Sequence, residues 1–160
     1  MGKAKRAHAA PGRLGTVVTR YRRLWIEGGL FFFTVALADR SSNLLINEVK
    51  RLRRIYGSVE REYRFETVAI CILPDHLHAI WSLPEGDADY PLRWSLIKSG
   101  FSRGLSTTEP TSDSKHRKRE RGIWQRRYWE HAIRNDLDLS RHVDYIHFNP
   151  VRARARSSGC

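Results

Sequence analysis

Cysteine is nearly absent from this chain of 160 residues, which holds two. Cys71 lies inside an apolar run and Cys160 is the last residue, so no disulfide framework organises the fold. Long apolar runs are missing as well. The longest, Leu30 to Ala38, falls far short of the roughly 20 residues that a bilayer-spanning helix needs. The basic start, Met1 to Arg6, is followed by no apolar core, so it does not read as a signal peptide. Together these absences point to the cytoplasm. Acidic side chains are outnumbered, 17 Asp and Glu against 29 Lys and Arg, giving a net charge of +12 and a pI near 10.4. An excess of that size attracts polyanions and displaces their counterions, so nucleic acid is the leading partner. A membrane surface ranks lower, because no basic amphipathic helix stands apart from the core pattern.

What is present suffices for one globular domain, with 41% apolar and 11% aromatic residues. Residues 1–20 carry Lys3, Lys5, Arg6, Arg13 and Arg20 without apolar periodicity and read as a flexible basic arm. A first strand is expected over Leu30–Ala38. After turn and cap residues at 39–42, a helix over 43–58 carries the stripe Leu45, Val49, Leu52 and Tyr56. Two strands follow at 67–73 and 76–83. Pro91 suits the first turn of a helix bearing Trp94, Ile97, Phe101 and Leu105 on one side. Residues 106–122 are Ser/Thr-rich and then basic, and read as a mobile loop. Trp124 to Ile133 reads as a fourth strand or an irregular edge. A last helix is expected over 137–148, ended by Pro150, which places Asn149 at or just beyond its C-terminus. This order predicts an α+β fold, a ferredoxin-like split βαβ sandwich. An antiparallel sheet carries helices on one face, with a C-terminal helix added. The domain would occupy 21–155, leaving 156–160 as a short tail.

Two segments carry chemistry. On a strand, His76 and His78 point to one face, so both imidazoles can reach one point. On a helix, Tyr145 and Asn149 are four apart and are neighbours. If the two places meet, two imidazoles and an amide oxygen surround a divalent cation with a phenol beside it. A free phenol, with a pKa near 10, is a weak nucleophile at neutral pH, and a nearby cation favours its phenolate. The mixed N/O donor set suits Mn2+ and accepts Mg2+ once phosphate supplies further oxygens; structural zinc would be closed by a fourth protein ligand. The negative end of the last helix dipole is expected to help hold the cation near Asn149.

Three blocks carry a family resemblance: Leu73 to His78, Trp124 to Asn135, and Asp144 to Val151. In this order they resemble the REP-associated tyrosine transposases, bacterial relatives of the single-tyrosine HUH transposases of insertion sequences, over roughly residues 20–155. The resemblance implies that His76 and His78 form the HUH metal site, that Asn149 is the third ligand and that Tyr145 is the catalytic tyrosine. It further implies a metal-dependent endonuclease and strand transferase acting on single-stranded DNA at hairpin repeats. The product would be a 5′-phosphotyrosine and a free 3′-hydroxyl. Because the covalent link preserves the phosphodiester energy, rejoining requires no nucleotide cofactor.

Cations and aromatics that grip single-stranded DNA are expected at Arg126, Arg127, Tyr128, Trp129, His131 and Arg134, with Arg22, Arg23, Lys98 and Arg103 as further phosphate contacts. Trp124 and Trp129 are equally compatible with the core, and Glu130 and His131 with support of Tyr145 or the ion. Two other readings stand beside the enzyme: a non-catalytic module that binds hairpin DNA, and a ferredoxin-like RNA-binding domain that stacks bases on its open sheet face. Both a monomer and a helix-exchanging homodimer are compatible with the sequence. In either state the protein would be cytoplasmic, and nucleoid-associated when bound to DNA.

Overall fold

The strand that begins at Leu30 sets the architecture, because its two faces serve two different layers. In the computed structural model, residues 26–105 and 122–157 are described, with side chains through Asn149. The strands are β1 (Leu30–Ala36), β2 (Glu66–Ile72), β3 (His76–Ser82) and β4 (Trp129–Ala132); the helices are α1 (Leu44–Asn47), α2 (Val49–Glu62), α3 (Tyr90–Ser102) and α4 (Asp136–Ser157). The sheet is antiparallel throughout, in the order β2-β3-β1-β4. That is the ferredoxin-like arrangement expected from the order of elements.

Alternation along the central strands divides their side chains. Phe31, Phe33 and Val35 join Leu77, Ala79 and Trp81 on one face, where they pack under Leu52, Tyr56, Trp94, Ile97 and Phe101 of α2 and α3. Phe32 and Ile80 face the other way, with Cys71 and Leu73, and are covered by Ile146 of α4. Aromatic contacts knit the first face together. Trp81 and Trp94 stack with centroids 4.3 Å apart, a geometry worth about 0.5–1.5 kcal/mol beyond the area it buries. The indole N–H of Trp81 donates to the Tyr56 hydroxyl, which is also hydrogen-bonded to Thr67. Burial pushes that phenol well above its ordinary pKa, so it stays neutral.

Three expectations are corrected. The helix expected over 43–58 is a single turn followed by α2, which runs on to Glu62 because Val59 continues the buried stripe. The fourth strand shortens to Trp129–Ala132; Trp124 makes only an isolated bridge to Leu37, and Trp124 packs on Phe101. The largest difference is at Pro150. The last helix does not stop there but continues to Ser157, through residues assigned to the tail. Pro150 removes one N–H and disfavours the helical region at Asn149, but the following Val-Arg-Ala-Arg-Ala-Arg run is rich in strong helix formers. Asn149 therefore lies inside α4, and the helix C-terminus with its negative dipole end is two turns away.

Residues 1–20, with Arg22 and Arg23, and the segment 106–121 lie outside the described residues. Among the described residues, no helix is long and apolar enough to cross a membrane.

Candidate active site

β3 places His76 and His78 on the α4 face of the sheet, at the start of a central strand rather than at a sheet edge. The chain enters through Leu73, whose N–H bonds to the His76 carbonyl, and Pro74-Asp75 forms the tight connection from β2. The two imidazoles lie almost perpendicular, with centroids 4.9 Å apart. α4 docks on this face through Ile146, flanked by Leu139 and Val143. The neighbouring stripe of the helix brings Tyr145 to the histidines. Its ring lies 5.1 Å from that of His78 at 77°. Tyr145 is 44% exposed, so its hydroxyl-bearing ring is open to a substrate.

Each imidazole is held by its Nδ1. That of His78 shares a 2.9 Å hydrogen bond with the Thr34 hydroxyl, directly across from it in the β1–β3 register. That of His76 meets Asp75 at 2.7 Å, and the Arg40 guanidinium grips the other Asp75 oxygen at 2.7 Å. With protons on both Nδ1 atoms, both Nε2 atoms keep a lone pair. Burial, then the neighbouring His76 and Arg40, pulls the pKa of His78 down to about 4, so its ring is neutral at pH 7. His78 is 3% exposed, and its Nε2 has no hydrogen-bond partner. Buried polar atoms are almost always satisfied, and an unpartnered imidazole nitrogen with a free lone pair has the chemistry to ligate a cation. The side-chain amide nitrogen of Asn149 is likewise buried without a partner. A half-turn of that amide exchanges it for the oxygen that a cation takes. The donor set thus fits a divalent ion, with outer partners that orient it.

Phe32 is the ring on which this face turns. Its centroid lies 5.4 Å from His78, 5.9 Å from Tyr145, 5.7 Å from Trp129 and 4.7 Å from His142. Nothing in the sequence singled out Phe32, Thr34 or Arg40, since their roles depend on strand register. Asp75 was not singled out either, although its place next to His76 was the signal that could have marked it.

Beside this site stands a second His/Asp group: ligand atoms of His131, Asp138 and His142 all lie within 4.8 Å of one another. It joins β4 to the first turns of α4.

The expected DNA contacts separate by face. Trp129 is 52% exposed on the Tyr145 side, with one ring face stacked 5.8 Å from His131. Arg126, Arg127 and Arg134 are exposed. Tyr128 instead packs into the α2/α3 core against Phe33 and Trp94. Glu130 pairs with Phe33 in the register and is buried on that same face, so it supports neither Tyr145 nor an ion at the histidines. Lys98 lies on α3 and Arg103 caps its C-terminus, across the sheet from Tyr145. The Lys98 ammonium donates to the Gln125 carbonyl, and the Arg103 carbonyl accepts from Arg51.

Residues 33–149 match the family model described as "Transposase IS200 like". A REP-associated tyrosine transposase of Escherichia coli is 44% identical over 135 residues, covering 84% of this chain and 74% of that protein. A Haemophilus influenzae protein bearing the same family name is 46% identical over 136 residues, covering 84% of this chain and 77% of that one. A solved structure of a REP-associated tyrosine transposase bound to a REP hairpin superposes with a TM-score of 0.72 at 44% identity, covering 85% of this chain and 74% of that one.

Proposed function

This chain belongs to the IS200-like transposases, among the REP-associated tyrosine transposases, a membership that carries DNA processing, and from it we propose a metal-assisted single-strand DNA nickase and strand transferase with Tyr145 as nucleophile. Its substrate is hairpin-forming repeat DNA, the ligand named for its solved relative. Tyr145 attacks the scissile phosphorus; its phenolic oxygen becomes linked to the 5′-phosphate, and the 3′-oxygen leaves and takes a proton. Attack by a 3′-hydroxyl on that phosphotyrosine reverses the exchange and releases Tyr145. Each step swaps one phosphoester for another, so no external energy source enters.

His76, His78 and Asn149 would hold a Mg2+ or Mn2+ ion, which when bound polarises the phosphoryl oxygens and favours the phenolate. Asp75 and Arg40 hold His76, and Thr34 holds His78, each by Nδ1, which leaves the Nε2 of each ring free to serve as the ligand atom. Phe32 fixes the spacing between the Tyr145 ring and that of His78. The exposed indole of Trp129 offers a surface on which a base beside the cleaved bond can stack. All three rings meet within one chain, so a monomer suffices.

The observation that carries this reading is the buried, partnerless Nε2 of His78 lying beside a Tyr ring that is open to solvent. The test is a REP hairpin oligonucleotide labelled at its 3′ end and incubated with Mn2+. The wild type should yield a labelled covalent adduct after denaturing electrophoresis, and Tyr145→Phe should not. An adduct that persists in Tyr145→Phe refutes the nucleophile. Tight hairpin binding by a wild type that never forms an adduct makes the protein a binding module.

A further inference from the structure

The group formed by His131, Asp138 and His142 takes no part in the chemistry above, yet it is built like a coordination site. His131 Nε2 lies 2.9 Å from one Asp138 carboxylate oxygen, and His142 Nδ1 lies 3.2 Å from the other. The two imidazoles stack with centroids 4.9 Å apart and planes 20° from parallel. A tetrahedral zinc with bonds of about 2.0–2.1 Å keeps its donors roughly 3.3 Å apart. Each His–Asp contact is close to that spacing but uses a different carboxylate oxygen, so one Asp138 oxygen must swing between the imidazoles; the three donor atoms already lie within 4.8 Å of one another.

Outer contacts hold the three donors. The Arg134 N–H donates to the same Asp138 oxygen that faces His131, and the Asp138 N–H is capped by the Asn135 side chain. Trp129 stacks on His131, and Phe32 packs against His142. Without an ion, the His142 Nδ1–H donates to the Asp138 carbonyl at 2.8 Å, so the group is a hydrogen-bonded clamp. In that clamp His131 Nε2–H likewise donates to the Asp138 carboxylate, so coordination needs both imidazoles to change tautomer, His142 carrying its proton on Nε2 and His131 on Nδ1.

We propose that His131, Asp138 and His142 bind a second divalent ion of the zinc class, separate from the ion at His76 and His78. Two imidazoles and one carboxylate suit Zn2+ or Co2+ better than Mg2+. All three side chains are partly exposed, which leaves the fourth position open to water or a DNA phosphate oxygen. The ligands come from β4 and from the first two turns of α4, and Tyr145 lies three residues past His142. The ion pins the start of the nucleophile's helix to the sheet.

The test is Co2+ binding to tag-free, full-length protein, followed by visible absorption and by metal content after dialysis. The variant His76→Ala/His78→Ala removes the first site, so the outcome does not depend on the catalytic reading. It should retain one Co2+ per chain with tetrahedral-type absorption bands, and Zn2+ should displace that ion. Adding Asp138→Asn, or separately His131→Gln, should abolish retention, while near-ultraviolet circular dichroism in EDTA shows that each variant still folds. No retained Co2+ in the double variant, or retention indifferent to either added substitution, overturns the proposal and leaves the group a hydrogen-bonded clamp.

Discussion

Replacing Thr34 with Val tests the link between strand register and chemistry. Thr34 and Val have nearly the same shape, so the change deletes one hydroxyl and little else. That hydroxyl is the partner of His78 Nδ1 at 2.9 Å, and the opposite nitrogen has none. His78 is almost fully buried, so the substitution strands an imidazole without a protein partner on either side. Leaving a buried polar group unsatisfied costs about 1–3 kcal/mol. In EDTA this loss should appear as a fall in unfolding free energy of that size, measured by urea titration. With Mn2+ present, the ring no longer has its tautomer and orientation set, and losing such an outer partner weakens metal binding by about 10–100-fold. The Mn2+ concentration for half-maximal hairpin cleavage should rise by that factor in single-turnover assays. The rate at saturating Mn2+ should stay near that of the wild type. Thr34→Ser restores the hydroxyl and should restore the Mn2+ dependence. If Thr34→Val and Thr34→Ser show the same Mn2+ dependence as the wild type, Thr34 does not present His78 to the ion.

Trp129→Ala should weaken hairpin binding by about 1–3 kcal/mol, the scale of one lost base stack, without lowering thermal stability, since the indole is half exposed; unchanged affinity in a fluorescence titration removes Trp129 from the DNA surface. Gly100→Ala should destabilise by about 1–3 kcal/mol, the usual range for overpacking, because its new Cβ would lie 2.8 Å from the Ile55 side chain where α3 crosses α2; an unchanged urea midpoint refutes that packing. The Arg93 guanidinium holds the Asp87 carboxyl below its ordinary range. With the folded pKa depressed, this pair stabilises above the unfolded value near 3.9, and the contribution disappears as pH falls through the folded pKa. Urea midpoints measured from pH 6 down to 2 should show a decline that Asp87→Asn flattens; an equal decline in the variant rules the pair out as its source.

How much of this was legible without coordinates follows from the range of each interaction. Period-two alternation in residues 76–82 put the imidazoles on one face, and the i, i+4 spacing put Tyr145 beside Asn149. Both are local, and local geometry is what spacing encodes. The buried stripe of α2 was readable for the same reason, but its end was not, because Val59 extends the helix only by finding a core to enter. Pro150 misled because backbone preference argued for a stop, while the helix-forming run beyond it outweighed one missing hydrogen bond. The DNA surface divided in a way that no composition reveals. Tyr128 and Trp129 are adjacent, yet one is core and the other is open to solvent.

The amino-acid sequence by itself determined the elements, their order, the basic charge and the pairing of residues within a single strand or turn of helix, since these rest on covalent neighbours and periodicity. Tertiary structure alone decided that α4 lies across β3, that Thr34 meets His78 from another strand, and that His131 joins Asp138 and His142. Those contacts bridge residues far apart in the chain, and they exist only because burying Phe32, Ile80 and Ile146 together brings α4 onto that face of the sheet.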